Sequence, residues 1–366
     1  MILIATQNFP PDRGGIEILM GGLAEALAAA GHEVRVLADA SHVAEAARAR
    51  PFQLQRYGGM KPLRRWRKAR ALRQAVRAGA VEGVFADSWK SAELLGDLGV
   101  PLAVLAHGME FPEWQSPRKA ERIHRALFLA DSVIANSRYT AEQVQPYLQG
   151  GTRLTVINPP IWPQPTATAQ SLARLRARIG GGDPVLATLA RLEPRKGVDM
   201  VIRALPQIRA RHPQVVYLIA GLGDDQPRLK RLAEELQVAE CVHFLGPMDE
   251  GDKAALYEVA DLFAMPARRE GNSVEGFGIV YREAQWYGVP VLAGRDGGAV
   301  DAVAGGELGA LCNGADAGDV CAQLLRLLDD DAGRRALAEK GMAVARGPAQ
   351  WAQSVDAFLA ELRRSC

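Results

Sequence analysis

The sequence predicts an α/β protein made of two tandem doubly wound domains. Three observations carry this prediction. Short β-capable apolar runs alternate with stretches of helical periodicity, and glycines and charges gather in the loops that follow the runs. Four prolines in Asn158-Pro159-Pro160-Ile161-Trp162-Pro163-Gln164-Pro165 break that rhythm, since they exclude both helix and central strand. The length of 366 residues also exceeds what one core usually covers. Alternation at this spacing implies parallel sheets covered by helices on both faces.

Taken in order, residues 2–6 form an apolar strand that leads into a loop with Pro10, Pro11, Gly14 and Gly15. From Ile16 the apolar residues Leu19, Leu23 and Leu27 recur at helical spacing up to Gly31, a C-cap position, and 32–37 is the next strand. Gly14 and Gly15 therefore fall where a β-α-β unit binds anions, between a strand end and a helix start. Further strands are expected at 81–85, 102–106 and 132–137, with Asn136-Ser137 capping the next helix. His107 follows the second of these strands, where a side chain enters a ligand crevice, although a structural histidine is the plainer alternative. The domain boundary is placed in the proline stretch, giving a first domain at 1–158 and a second at 159–349. Strands of the second domain are expected at 185–189, 215–220, 242–245, 262–265 and 289–293. The segment 350–366 carries an amphipathic helix, 351–362, expected to pack back on the first domain.

Composition narrows the class. With 48% hydrophobic and 23% charged residues, no bilayer-length apolar run and no basic leader, the chain reads as a soluble cytoplasmic protein. Cys241, Cys312, Cys321 and Cys366 lack metal-ligand spacing and suit reduced structural thiols, so no metal site is expected. A net charge of +2 gives no reason to expect nucleic acid as a partner. One local exception stands out. Between 61 and 77 lie Lys61, Arg64, Arg65, Arg67, Lys68, Arg70, Arg73 and Arg77 without an acid, opposite an apolar stripe of Leu63, Trp66, Ala69, Leu72 and Val76. Such a helix can lie on an anionic membrane surface, bind an acidic acceptor, or simply cover an α/β domain.

The chemistry concentrates in the second domain. After the strand at 185–189 comes Ala190-Arg191-Leu192-Glu193-Pro194-Arg195-Lys196-Gly197. Arginine binds phosphate in bidentate fashion and lysine adds a point charge, so Arg191 and Lys196 are candidates to neutralise a diphosphate; surface pairing with Glu193 is the alternative. Gly221 and Gly223 follow the next strand and allow close backbone approach to a ligand, and Met248 lies just past a Gly-Pro turn, placed beside backbone edges for a nucleobase. Last comes Glu275-Gly276-Phe277-Gly278-Ile279-Val280-Tyr281-Arg282-Glu283-Ala284, a glycine loop entering a helix. The helix start attracts phosphate. Glu283 is placed to accept from a vicinal diol and Glu275 to face whatever the loop cradles; alternatively Glu275 caps the helix and Glu283 pairs with an arginine.

Glu275 and Glu283 with seven residues between them, the Arg191 and Lys196 pair, Gly221-Leu222-Gly223, the Gly14-Gly15 loop and the proline-rich linker together resemble the retaining family 4 glycosyltransferases of the GT-B fold, over essentially the whole chain. The resemblance implies two Rossmann-like domains facing a central cleft, with the acceptor on the first and a nucleoside diphosphate sugar on the second. It implies a retaining hexosyltransferase that needs no metal and no cofactor beyond its donor substrate. Arg191 and Lys196 would bind the diphosphate and stabilise it as it leaves. Glu283 would hold the ribose and Glu275 the donor sugar, with the amides of Phe277, Gly278 and Ile279 on sugar and phosphate. His107 would reach the transferred sugar, and Gly15 would let the first domain approach the phosphates.

Phe9-Pro10-Pro11 with Gly14-Gly15-Ile16-Glu17, and 274–280, are similar to the phosphatidylinositol mannosyltransferase-like branch. That similarity leans toward GDP-mannose as donor and a glycan or lipid-linked acceptor in cell-envelope or polysaccharide synthesis; the basic helix matches a lipid-linked acceptor at the inner membrane face without requiring it. Asp301 departs from the family, which often has a glutamate after the Gly297-Gly298 loop. A nucleotide-sugar epimerase of the same fold, a UDP-hexose-dependent transferase and a binding protein without turnover are the competing readings.

Overall fold

The computed structural model describes residues 1–12, 14–41, 49–111, 115–149 and 151–363. The chain divides into two units, Met1–Trp162 with Ala349–Cys366 and Pro163–Pro348. The first contains β1 (Ile2–Thr6), α1 (Gly15–Ala29), β2 (Val34–Asp39), β3 (Gln53–Tyr57), α2 (Lys61–Arg77), β4 (Gly83–Ala86), α3 (Trp89–Ala92), β5 (Leu102–Ala106), α4 (Pro117–Phe128), β6 (Ser132–Ala135), α5 (Arg138–Val144) and β7 (Arg153–Val156). Its strands form one parallel sheet in the order β3-β2-β1-β4-β5-β6-β7. Every residue of β1, β4, β5 and β6 is buried, as strands covered on both faces must be. The edge strands β3 and β7 keep exposed or half-buried residues, so they show no continuous apolar run and escape the sequence reading.

The second unit contains α6 (Ala169–Ile179), β8 (Val185–Leu189), α7 (Val198–Arg211), β9 (Val216–Ala220), α8 (Gln226–Glu235), β10 (Val242–Gly246), α9 (Glu250–Val259), β11 (Leu262–Met265), α10 (Ile279–Trp286), β12 (Val291–Gly294), α11 (Ala299–Ala302), β13 (Ala310–Cys312), α12 (Ala317–Asp329) and α13 (Asp331–Ala345). Its sheet is also parallel, in the order β10-β9-β8-β11-β12-β13. Side chains of α7, α8 and α12 fill one face of this sheet, and those of α9, α10 and α11 the other. The last helix, α14 (Trp351–Ala360), belongs to the first unit, where Trp351, Phe358 and Leu362 join the core formed by α1 and the sheet. A Cβ on Gly22 of α1 would overlap the Trp351 indole, so the glycine makes the seat for that ring.

In both sheets the strand order reverses, between β1 and β4 in the first and between β8 and β11 in the second. Loops at the carboxyl ends of the strands on either side of such a reversal splay apart and leave a crevice. Arg191 and Lys196 follow β8, the Glu275 loop follows β11, Gly14 and Gly15 follow β1, and His107 follows β5.

The structure supplies what the local reading of α2 left open. Its charges are not an unpaired run: Lys68 is buried and donates to Asp39 at 2.8 Å and to the Thr6 carbonyl, Arg64 pairs with Asp39 at 2.9 Å, and Arg65 pairs with Glu93 at 2.7 Å. The acids come from other elements, invisible to a local count. Nor does the whole apolar stripe face the core. Ala69 and Leu72 are buried, but Leu63 and Trp66 are 49% and 48% exposed, because the inward face of the first turns is taken by Arg64 and Lys68 reaching to β2. Among the described residues no helix is long and apolar enough to cross a membrane. Cys241, Cys312 and Cys321 are buried free thiols, burial pushing Cys312 up to about 12; Cys366 lies outside the described residues.

Candidate active site

In the second unit, the loop after β8 carries an alternating chain of charges. Arg191 is exposed and donates to Glu193 at 3.0 Å, so the surface pairing considered for it exists. The other oxygen of Glu193 accepts from Arg195 Nε at 2.9 Å. Arg195 and Lys196 are both buried and both donate to Oε2 of Glu275, Arg195 from Nη1 at 3.0 Å. Burial opposes ionisation of Glu275, but the charges of Lys196 and then Arg195 outweigh it and hold the carboxyl below its ordinary range. Glu275 therefore does not cap the helix. That helix, α10, starts at Gly278 without a side-chain cap, leaving its N-terminus electropositive. Gly278 has φ 85, and a Cβ there would overlap the Tyr281 ring, so only glycine suits this turn. The Phe277 side chain is sunk in the core.

Gly221 and Gly223 have a different immediate reason from the one their position suggests. A Cβ on either would overlap a carbonyl oxygen of the β8 loop, that of Ala190 or of Leu192, and Leu192 N donates to Leu222 O at 2.9 Å. The two loops are thus bound edge to edge. Together they line an open hollow with Arg191, Glu193, Leu222, Gly223 and Asp224. Met248, after β10, is half-buried against the same apolar cluster that holds Phe277 and Tyr281. Glu283 pairs with a lysine rather than an arginine: Lys253 of α9 donates to it at 3.0 Å and the buried Tyr257 hydroxyl at 3.1 Å. Burial lowers the Lys253 pKa, yet Glu283 and Glu250 raise it further than burial lowers it, so the ammonium is held charged. Asp301 acts on a different group. Burial pushes the neighbouring Arg282 guanidinium down to about 10, and the Asp301 charge opposes that fall.

In the first unit, Gly15 opens α1, which lacks a side-chain cap, and a Cβ at Gly15 would meet nothing within 4 Å. His107 is buried with Nε2 at 2.8 Å from the Asp87 carbonyl oxygen. A carbonyl only accepts, so Nε2 carries the hydrogen. Asp87 was not legible as part of this site. Buried after β4, its carboxylate accepts from Thr6 Oγ1 at 2.8 Å, the Gln7 amide at 2.6 Å and Ser91 Oγ at 2.6 Å, tying the ends of β1 and β4 together. An acid directly after an apolar strand was its only signal. Arg195, Lys253 and Tyr257 were missed too; Arg195 stood in plain view beside Lys196, whereas nothing local marks Lys253 or Tyr257 as partners of Glu283.

Comparison with known proteins agrees with this architecture. The family model described as Glycosyltransferase Family 4 matches residues 13–164, and that described as Glycosyl transferases group 1 matches residues 173–344. The chain is 34% identical to the GDP-mannose-dependent alpha-(1-6)-phosphatidylinositol monomannoside mannosyltransferase of Mycolicibacterium smegmatis, over 99% of this chain and 97% of that protein. Among solved structures, sucrose-phosphate synthase from Thermosynechococcus elongatus superposes with a TM-score of 0.78 at 22% identity, covering 99% and 97% of the two chains. The Anabaena protein HepE, solved with UDP, gives a TM-score of 0.78 at 21% identity, covering 98% of each chain. These two likenesses concern the fold.

Proposed function

Because the chain belongs to the family 4 glycosyltransferases, we propose that this hexosyltransferase moves mannose from GDP-mannose to a mannosylated phosphatidylinositol-type lipid, with retention at the anomeric carbon. The observation that carries the reading is the meeting of Lys196 with Glu275. In a nucleotide sugar the reacting bond joins sugar to phosphate, so its site must hold a phosphate-binding cation and a sugar-binding acceptor group side by side. Those two side chains supply the pair. In our reading Arg191, Lys196 and the amides at the start of α10 take up the charge that develops on the departing diphosphate. Glu283 binds the ribose, Met248 lies by the base, and His107 contacts the transferred sugar. Glu275 is a poor nucleophile, because two cations already hold one of its oxygens; its role is to accept from sugar hydroxyls while the acceptor attacks from the face that phosphate vacates.

The donor is tested by titration calorimetry of purified protein with GDP, UDP and ADP. GDP is expected to bind at least about tenfold more tightly than the others, a difference of about 1.4 kcal/mol. Preference for UDP would replace mannose with a UDP-hexose, and binding of none would refute a donor site. Product that accumulates from GDP-mannose without acceptor would favour the epimerase reading.

The lipid acceptor requires access to a membrane, and α2 is the proposed contact. Met60, Leu63 and Trp66 are exposed apolar side chains, with Lys61, Arg67 and Arg70 exposed beside them and Arg70 stacked over the Trp66 ring. Basic residues near an anionic surface contribute about 1 kcal/mol each. Reversing Lys61, Arg67 and Arg70 to glutamate is therefore expected to lower co-sedimentation with phosphatidylglycerol vesicles more than about tenfold. Unchanged sedimentation would leave α2 as an ordinary covering helix.

A further inference from the structure

The charge chain after β8 contains one cation too many for a diphosphate clamp alone. Arg195 and Lys196 converge on the same oxygen of Glu275, Oε2, and among the described residues no hydrogen bond or ion pair reaches Oε1. Only one of the two cations has freedom to leave. Arg195 is held at its other end by Glu193, and its main-chain carbonyl accepts from the Arg268 amide at 2.8 Å, whereas the Lys196 ammonium has no carboxylate partner but Glu275 among the described residues. If Lys196 turned to a phosphate, Arg195 would be the cation left to compensate Glu275, whose side chain is only 12% exposed.

We infer that Arg195 is a positioning residue: it keeps hold of Glu275 by Oε2 when Lys196 turns to the diphosphate, and so presents Oε1 to a hydroxyl of the donor sugar. The inference rests on the reading of Glu275 as the sugar contact. Arg195 itself touches neither sugar nor phosphate. Glu193 acts one step further back, since it grips Arg195 with one oxygen and Arg191 with the other. The depressed pKa of Glu275 agrees, because an ionised carboxylate is the stronger acceptor for a hydroxyl.

The test compares GDP with GDP-mannose by calorimetry on the full chain carrying Arg195→Met, Arg195→Lys or Glu275→Gln. Loss of the guanidinium leaves Glu193 with Arg191 and Glu275 with Lys196, so Arg195→Met is expected to fold, and its melting curve checks this. In Arg195→Met the affinity for GDP-mannose is expected to fall about tenfold, the worth of one charge-assisted hydrogen bond, while that for GDP stays within about twofold. Arg195→Lys, which restores the charge but lacks the planar fork that reaches Glu193 from Nε and Glu275 from Nη1, is expected to recover part of the loss. Equal losses for GDP and GDP-mannose would make Arg195 a phosphate contact and overturn the inference. So would an unchanged ratio in Arg195→Met beside a changed one in Glu275→Gln. An unchanged ratio in Glu275→Gln itself would refute the sugar role of Glu275 and with it the inference, and wild-type protein that binds neither ligand would refute the donor.

Discussion

Replacing Lys196 by alanine is expected to lower kcat/KM for mannosyl transfer by about 10²- to 10³-fold, the loss typical when one fixed donor to a developing oxyanion is removed. The argument is electrostatic. A diphosphate gains charge as its bond to the sugar breaks, and a buried ammonium near that charge stabilises it more than solvent does. The fold should survive the substitution, because Glu275 keeps its bond from Arg195 at 3.0 Å. Arg191→Ala is expected to cost less, since the Arg191 side chain is 66% exposed and screened by water. Steady-state rates at saturating acceptor, with a melting curve for each variant, check both. Near-normal rates in both single variants would overturn the assignment of the diphosphate to this loop.

Glu283→Ala carries the second large effect, on stability and on binding together. The substitution strips the charged Lys253 of its buried partner and leaves it only Glu250, whose side chain is 73% exposed. Among the described residues the Tyr257 hydroxyl keeps only the Val280 carbonyl, at 3.4 Å. An ion pair broken on one side is expected to cost about 2–4 kcal/mol, read from urea denaturation. Lost hydrogen bonds to the ribose should also weaken GDP by about tenfold or more. Glu283→Gln separates the two effects, since the amide preserves the shape of the site and an acceptor for Lys253. Unchanged GDP affinity in Glu283→Gln and Glu283→Ala alike would show that the acid serves only to pair Lys253.

Both variants probe residues that were legible before their partners were. Arg191 and Lys196 stand in the loop directly after an apolar strand, and Glu275 and Glu283 bracket a glycine loop and the helix it enters, all of them local properties of the chain. Arg195 lies next to Lys196 in that same loop, yet its contact with Glu275 spans 80 residues. Lys253 lies 30 residues from Glu283, within a helix whose charged residues look like ordinary surface ones. The partners of the basic run of α2 were hidden for the same reason: its acids, Asp39 and Glu93, come from β2 and from the chain after α3.

The sequence by itself determined the α/β class, the two parallel sheets and the glycosyltransferase family, because these rest on hydrophobic periodicity and on motifs set at strand ends. Central strands, buried on both faces, announce themselves as continuous apolar runs; β3 and β7 at the edges, and the three-residue β13, bury too little to do so. Only the tertiary structure decided which charges meet: that Lys68 turns inward to Asp39 while Trp66 stays out, that Nε2 of His107 is taken by the Asp87 carbonyl, and that Oε2 of Glu275 receives Arg195 as well as Lys196. The physical reason is common to all three. Each pairing is set by which strand lies beside which in the sheet, and a parallel sheet brings together loops that are far apart along the chain.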